Sequence, residues 1–256
     1  MRLNHLCIRY GSYCNLRCKY CAEFNPYFSD EQYRAVDCAQ TIKDVQKISS
    51  VVEYIDVLNV SGGEAFINKG IDELLCTLLD LPNVGRFYIV TNGSYVPPLS
   101  SLSILALHKK RVCVEISGYK AIGLPKKEVI NELEKHEIPF NVRDTQVWWD
   151  ISDLSYREYS LEELKQKYHS CQKMGSFWDY TDGYLGYDCC RSNLMFFLKK
   201  YDECVGEWIK VSDVSVENLP EKMLSLSQLE YSNICRYCCG IFQNTQKIVP
   251  ALDQLK

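Results

Sequence analysis

Over roughly the first 150 positions, short runs of β-branched and aromatic residues alternate with stretches of helical period. Residues 3–10 read as a strand that stops just before a polar, cysteine-bearing loop. Ile42, Val45, Ile48 and Val52 then recur on one helical face, and residues 54–60 read as a second strand. Ile71, Leu74, Leu75 and Leu78 stripe a helix over 71–79, ahead of a buried strand over 87–90. The alternation continues with helix over 99–108, strand over 112–116, helix over 126–136 and strand over 140–142, and predicts a sixth strand around 146–149. Five or six such units predict an α/β fold with a parallel sheet and crossover helices. They are too few for a closed eight-stranded barrel and enough for an open, partial one.

After residue 150 the pattern changes. Residues 155–168 are polar and helical, 176–198 are rich in aromatics and glycine like a β-hairpin, and a last helix is predicted over about 220–229. These features place a boundary near 155, with a partial barrel over 1–154 and a small α+β unit over 155–256. No Gly/Ser/Pro-rich linker separates the two, so the second unit is expected to pack on the first.

In sheets of this kind, ligands sit on the loops that follow the C-terminal strand ends. Four polar motifs fall there. Cys14, Cys18 and Cys21 follow the first strand and Ser61-Gly62-Gly63-Glu64 the second. Thr91-Asn92-Gly93 follows the third and Ser117-Gly118 the fourth.

A hydrophobic fraction of 46% is ample for a core and argues against disorder. The formal charge of −4 supplies no global basic field, so nucleic acid is not an expected partner. Neither a signal-peptide run nor eighteen consecutive apolar residues occur, so a cytoplasmic protein without a membrane span is expected. The cytosol keeps thiols reduced, and 14 cysteines in such a chain point to metal rather than disulfides.

Three of those cysteines form C-x3-C-x2-C between residues 14 and 21, a spacing that chance would give only about 0.04 times per chain at this composition. Three thiolates can hold three irons of a [4Fe-4S] cubane and leave the fourth iron open; a zinc site completed by a distant ligand is the other reading. The segment resembles the signature of radical S-adenosylmethionine (SAM) enzymes, including the aromatic Tyr20 before the last cysteine. The resemblance implies a partial (β/α)6 barrel in which SAM is chelated at the open iron. It further implies that one electron, supplied by a reductant such as flavodoxin or ferredoxin, cleaves SAM to a 5′-deoxyadenosyl radical. On the same resemblance, Gly62, Gly63 and Glu64 receive the SAM amine, Thr91, Asn92 and Ser117 make polar contacts to the cofactor, Arg143 meets its carboxylate, and Tyr20 packs near the adenine.

Seven further cysteines, Cys171, Cys189, Cys190, Cys204, Cys235, Cys238 and Cys239, flank the predicted hairpin and follow the last helix. Their order resembles the short "twitch" form of the SPASM domain, which carries one auxiliary [4Fe-4S] cluster. Similar layouts occur in the cyclitol dehydrogenase of butirosin biosynthesis and in radical SAM proteins associated with polysaccharide biosynthesis. The likeness assigns the ligand role to Cys171, Cys189, Cys235 and Cys238, with Cys190 an alternative to its neighbour and zinc an alternative metal. Cys7, Cys38, Cys76 and Cys113 are expected to be small buried hydrophobes. A spare thiol, Cys190 or Cys239, could return a hydrogen atom to a substrate carbon in an epimerisation; without one, oxidation to a ketone is the expected outcome. Asp144 is a candidate proton acceptor. The expected substrate is a small carbohydrate or cyclitol, since no extra N-terminal unit for docking a leader peptide is evident. A ribosomal peptide and a non-catalytic metal protein are the alternatives.

Overall fold

The computed structural model describes residues 1–29, 37–171, 177–187, 191–240 and 246–255. The first strand, β1 (Arg2–Arg9), is followed by α1 (Cys38–Val51), β2 (Tyr54–Ser61), α2 (Ile71–Leu79) and β3 (Val84–Thr91). Then come α3 (Leu99–Leu107), β4 (Val112–Ser117), α4 (Lys127–Lys135) and β5 (Phe140–Arg143). β1 to β5 pair in parallel, each with the next, as the alternation of strand and helical period requires. The apolar stripes face the sheet. Val45 and Ile48 of α1, Leu74, Leu75 and Leu78 of α2, and Val129 and Leu133 of α4 share one core with Leu6, Leu58, Phe87 and Val114 of the strands. Asp37 caps α1 by accepting from Gln40 N at 3.0 Å. Cys76 departs from expectation: it lies off the α2 stripe and is exposed, whereas Cys7 is buried and Cys38 and Cys113 are half-buried.

The chain continues with β6 (Trp148–Trp149), α5 (Leu161–His169), β7 (Trp178–Thr181) and β8 (Tyr184–Tyr187). α6 (Arg191–Leu198), β9 (Ile209–Lys210), α7 (Leu219–Ser227) and β10 (Lys247–Ile248) complete the elements used here. The sixth parallel strand is not the predicted one. Trp148–Trp149 pairs only with β10, while β7 pairs in parallel with the other edge of β1, giving the order β5-β4-β3-β2-β1-β7-β8-β9. The physical reason is burial. All four β7 residues are buried and suit a place against the central strand, whereas polar Gln146 and Asp150 bracket the two tryptophans. The predicted hairpin is shorter than 176–198. It turns at Asp182-Gly183, where both residues have positive φ (48° and 91°), and the apolar run after residue 190 forms α6.

Residue 155 falls in an irregular stretch before α5, yet the hairpin beyond it is continuous with the main sheet. Trp178, Tyr180, Leu185, Leu219 and Met223 belong to the same core as β1 to β4. Among the described residues, no helix is long and apolar enough to cross a membrane.

Candidate active site

The loops after β1 to β4 open into one cavity of about 400 Å³. Its walls carry Cys14, Cys18, Tyr20 and Cys21 from the first loop, Gly62 and Gly63 from the second, Thr91 and Asn92 from the third, and Ser117 from the fourth. Four separate sequence motifs therefore meet at one place. Tyr119, Trp148 and Trp149 line the cavity as well, with the Tyr119 and Trp148 rings edge to face at 5.2 Å.

The two glycines are fixed by their neighbours. Gly62 and Gly63 have φ of 92° and 50°, and a Cβ on Gly63 would lie 2.2 Å from the carbonyl oxygen of Tyr13. This close approach ties the second loop to the start of the cysteine loop. Glu64 N donates to Tyr13 O at 2.8 Å, and Asn68 Nδ2 donates to Glu64 O at 2.7 Å and to Tyr13 O at 3.2 Å. Asn68 had no local signal beyond its position after the glycines.

Glu64 itself does not line the cavity. Its carboxylate is wholly buried and accepts from Thr91 Oγ1 at 2.7 Å and Asn92 N at 2.8 Å, so it joins the second and third loops. Burial pushes its pKa up, while those donors pull it back. Asn92 passes the connection to the cysteines. Its Nδ2 donates to Asn15 Oδ1 at 3.0 Å and approaches Cys14 Sγ at 3.7 Å, and Asn15 Nδ2 donates to Ser94 Oγ at 2.7 Å.

Two other predicted residues point elsewhere. Arg143 pairs with Glu115 at the sheet edge, and Asp144 pairs with Lys120 at 2.7 Å; both side chains are more than half exposed, and neither lines the cavity. Lys120 and Gln146 hold the Asp144 carboxyl below its ordinary pKa.

Burial pushes the Cys14 thiol up to about 11 and the Cys21 thiol up to about 12, and Cys18 is also raised. No lysine or arginine is among the residues lining the cavity, so the thiolates would need a cation of another kind. A metal cluster would supply it. The donors aimed at sulfur fit the same picture: Leu16 N lies 3.4 Å from Cys14 Sγ and Gln254 Nε2 lies 3.1 Å from Cys18 Sγ. Among the described residues, no three Cys, His, Asp or Glu side chains group tightly enough to hold a single metal ion. In a cubane each cysteine binds a different iron, which asks for a shared wall rather than convergence on one point.

The later cysteines are dispersed. Cys171 follows α5, and Cys235 is buried against Leu164 and Tyr168 of that helix. Cys238 and Cys239 pack instead on a cluster built from Phe24, Ile151, Leu194, Met195, Cys204 and Ile234. Cys239 Sγ lies 3.9 Å from the carbonyl oxygen of Asp150, one residue from Ile151 of the cavity wall. Cys189 and Cys190 lie outside the described residues.

Comparison with known proteins adds relatives over about half of the chain and a fold likeness over nearly all of it. GTP 3′,8-cyclase of Clostridium acetobutylicum is 26% identical over 133 residues, 52% of this chain and 41% of its own. The enzyme of the same name from Pelotomaculum thermopropionicum is 26% identical over 124 residues, 46% of this chain and 36% of its own. The chain thus spans less than half the length of these curated relatives. The crystal structure of BtrN in complex with AdoMet and 2-DOIA shares the fold over 93% of each chain, with a TM-score of 0.51 and 14% identity. The radical SAM superfamily profile matches residues 8–141, more than half of the sequence and including the three-cysteine loop and the second, third and fourth strand-end loops, and the chain belongs to that superfamily.

Proposed function

We propose that this chain is a radical SAM oxidoreductase or epimerase acting on a small carbohydrate or cyclitol. The observation that carries the reading is the cavity lined together by Cys14, Cys18 and Cys21, by Gly62, Gly63, Thr91, Asn92 and Ser117, and by the rings of Tyr20, Tyr119, Trp148 and Trp149. When bound, SAM and the clusters would supply the reductive cleavage, the hydrogen-abstracting 5′-deoxyadenosyl radical, and an acceptor for the electron lost, together with a proton, as a substrate carbinol radical becomes a ketone.

The residues of this chain have separate tasks in that scheme. Cys14, Cys18 and Cys21 hold the N-terminal cluster. Gly62 and Gly63 leave backbone open toward the SAM amine, and Asn92 holds the third loop against the cysteines through Asn15. Tyr20, Tyr119, Trp148 and Trp149 shield the radical from water and offer rings to an adenine or a sugar face. Cys171, Cys189, Cys235 and Cys238 hold the auxiliary cluster. Cys239, beside the Asp150 carbonyl rather than in the cavity, is poorly placed to return a hydrogen atom, which favours oxidation unless Cys190 does so. A flavodoxin or ferredoxin in the cytoplasm supplies the electron.

The test is a panel assay. Reduced, reconstituted protein is mixed with SAM and with sugars, cyclitols, GTP or short peptides, and 5′-deoxyadenosine is measured. Substrate-dependent formation with sugars or cyclitols supports the reading. Formation with GTP, which the names of the curated relatives bring to the panel, or with peptides alone overturns it.

A further inference from the structure

Residues 246–255 run from the aromatic wall of the cavity to the cysteine loop. At the near end Asp150 N donates to Gln246 O at 2.8 Å, and Lys247 and Ile248 pair with Trp149 and Trp148. At the far end Lys19 N donates to Asp253 O and Leu255 N to Arg17 O, both at 2.8 Å, around an antiparallel bridge between Cys18 and Gln254. The Gln254 side chain is used at both ends of its amide. Oε1 accepts from Arg17 N at 2.7 Å, and Nε2 donates to Ala251 O at 2.6 Å and to Cys18 Sγ at 3.1 Å. Cys14 receives its donors from the barrel, Leu16 N and Asn92 Nδ2, whereas Cys18 receives this one from 236 positions away.

A hydrogen bond to a ligand sulfur favours the state in which that sulfur carries more negative charge, which for an iron-sulfur cluster is the reduced one. We propose that Gln254 is a positioning residue for the N-terminal cluster: its amide fixes the sulfur of Cys18 and, through the N–H···S bond, raises the reduction potential of the cluster. Segment 246–255 thereby links the electronics of the cluster to the wall that faces the substrate. The inference rests on the superfamily's cluster at Cys14, Cys18 and Cys21 and is independent of the substrate class.

Gln254→Glu tests it. The substitution keeps side-chain length and an acceptor for Arg17 N but places a carboxylate oxygen where the donor stood. In an EPR-monitored redox titration, the cluster whose signal changes on SAM addition should become about tenfold harder to reduce, a fall of about 59 mV for a one-electron couple. Gln254→Leu should shift it the same way by less, since it removes the donor without adding charge. A purely structural role would lower iron content or SAM affinity and leave the potential of the loaded cluster unchanged; that result overturns the proposal. A second measurement needs no variant to load iron. Pulsed EPR of the reduced wild-type protein carrying 15N in its glutamine side-chain amides should show a nitrogen coupling to this cluster, and its absence overturns the proposal equally. Neither measurement requires a substrate, so failure of the carbohydrate reading would leave both intact.

Discussion

Two sets of cysteines in this chain reach their positions by different means. Cys14, Cys18 and Cys21 lie within eight residues on one loop, so a single strand end delivers all three to one cavity wall. Cys171 follows α5, whereas Cys235 and Cys238 share one turn more than sixty positions later, where Cys238 N donates to Cys235 O at 3.3 Å, and pack into different apolar clusters. A site written in local spacing is set by one turn of chain. A site assembled from distant elements depends on every packing contact between them.

Cys18→Ala separates the two sets most sharply. With the proposed auxiliary cluster in place, it should abolish 5′-deoxyadenosine formation and halve the iron, from about eight to about four atoms per chain, while the spectrum of that second cluster persists. Loss of both clusters would mean that the later cysteines need the first loop to assemble.

Arg9→Ala tests how firmly the later region is held to the first. Arg9 sits at the end of β1, bonds Asp179 of β7 through Nε at 2.9 and 2.8 Å, and pairs with Glu23 just past the cysteines. Asp179 is fully buried, so removing its cation should cost about 3–5 kcal/mol in urea unfolding. A negligible change would show that β7 is held by apolar packing alone. Glu64→Ala should cost less, about 1–3 kcal/mol, by leaving the Thr91 hydroxyl and Asn92 N–H without their acceptor, and should weaken SAM binding measured by calorimetry.

A subtler effect concerns pH. Burial pushes Asp179 up to about 6 from its ordinary 3.8, even beside Arg9. Folding therefore takes up a proton at this group between those values, so its contribution to stability is complete below about pH 4 and lost as pH rises through about 6. The difference in unfolding free energy between wild type and Asp179→Asn should change across that window and level off above it. The smallest effect belongs to Asp144→Asn. Its surface pair with Lys120 lies away from the cavity, and both the melting temperature and SAM cleavage should match wild type.

The sequence disclosed what is local. Strand and helix periods over the first 143 residues lead to β1 to β5 and α1 to α4, and the strand-end rule brings the cysteine, glycine and Thr91-Asn92 motifs together. Strand ends locate loops but do not aim side chains, which is why Arg143 and Asp144 turned out to face solvent-side partners. Glu64 is legible as a motif, but its role joining two loops needed the third strand in place. The pairing of β7 with β1 could not be read locally. Trp178-Asp179-Tyr180-Thr181 alternates aromatic and polar residues as a half-exposed strand would, yet it is buried on both faces, and its partner lies some 170 positions away. Gln254 has no pattern around it at all. Its meaning comes only from the sulfur it meets.

β1 lies inside the sheet rather than at its edge, with β2 on one side and β7 on the other. During synthesis, β1 must wait for residues 178–181 before its second edge is covered, and the loop beyond it waits longer, for Asp253 to Leu255. Helices and strands of the early chain can form as they appear, but the cysteine loop reaches its final packing only once residues 253–255 are present. A chain cut short of residue 253 would lack the backbone partners of Arg17 and Lys19 and leave that flank of the cysteine loop, with its thiols, open to oxidation.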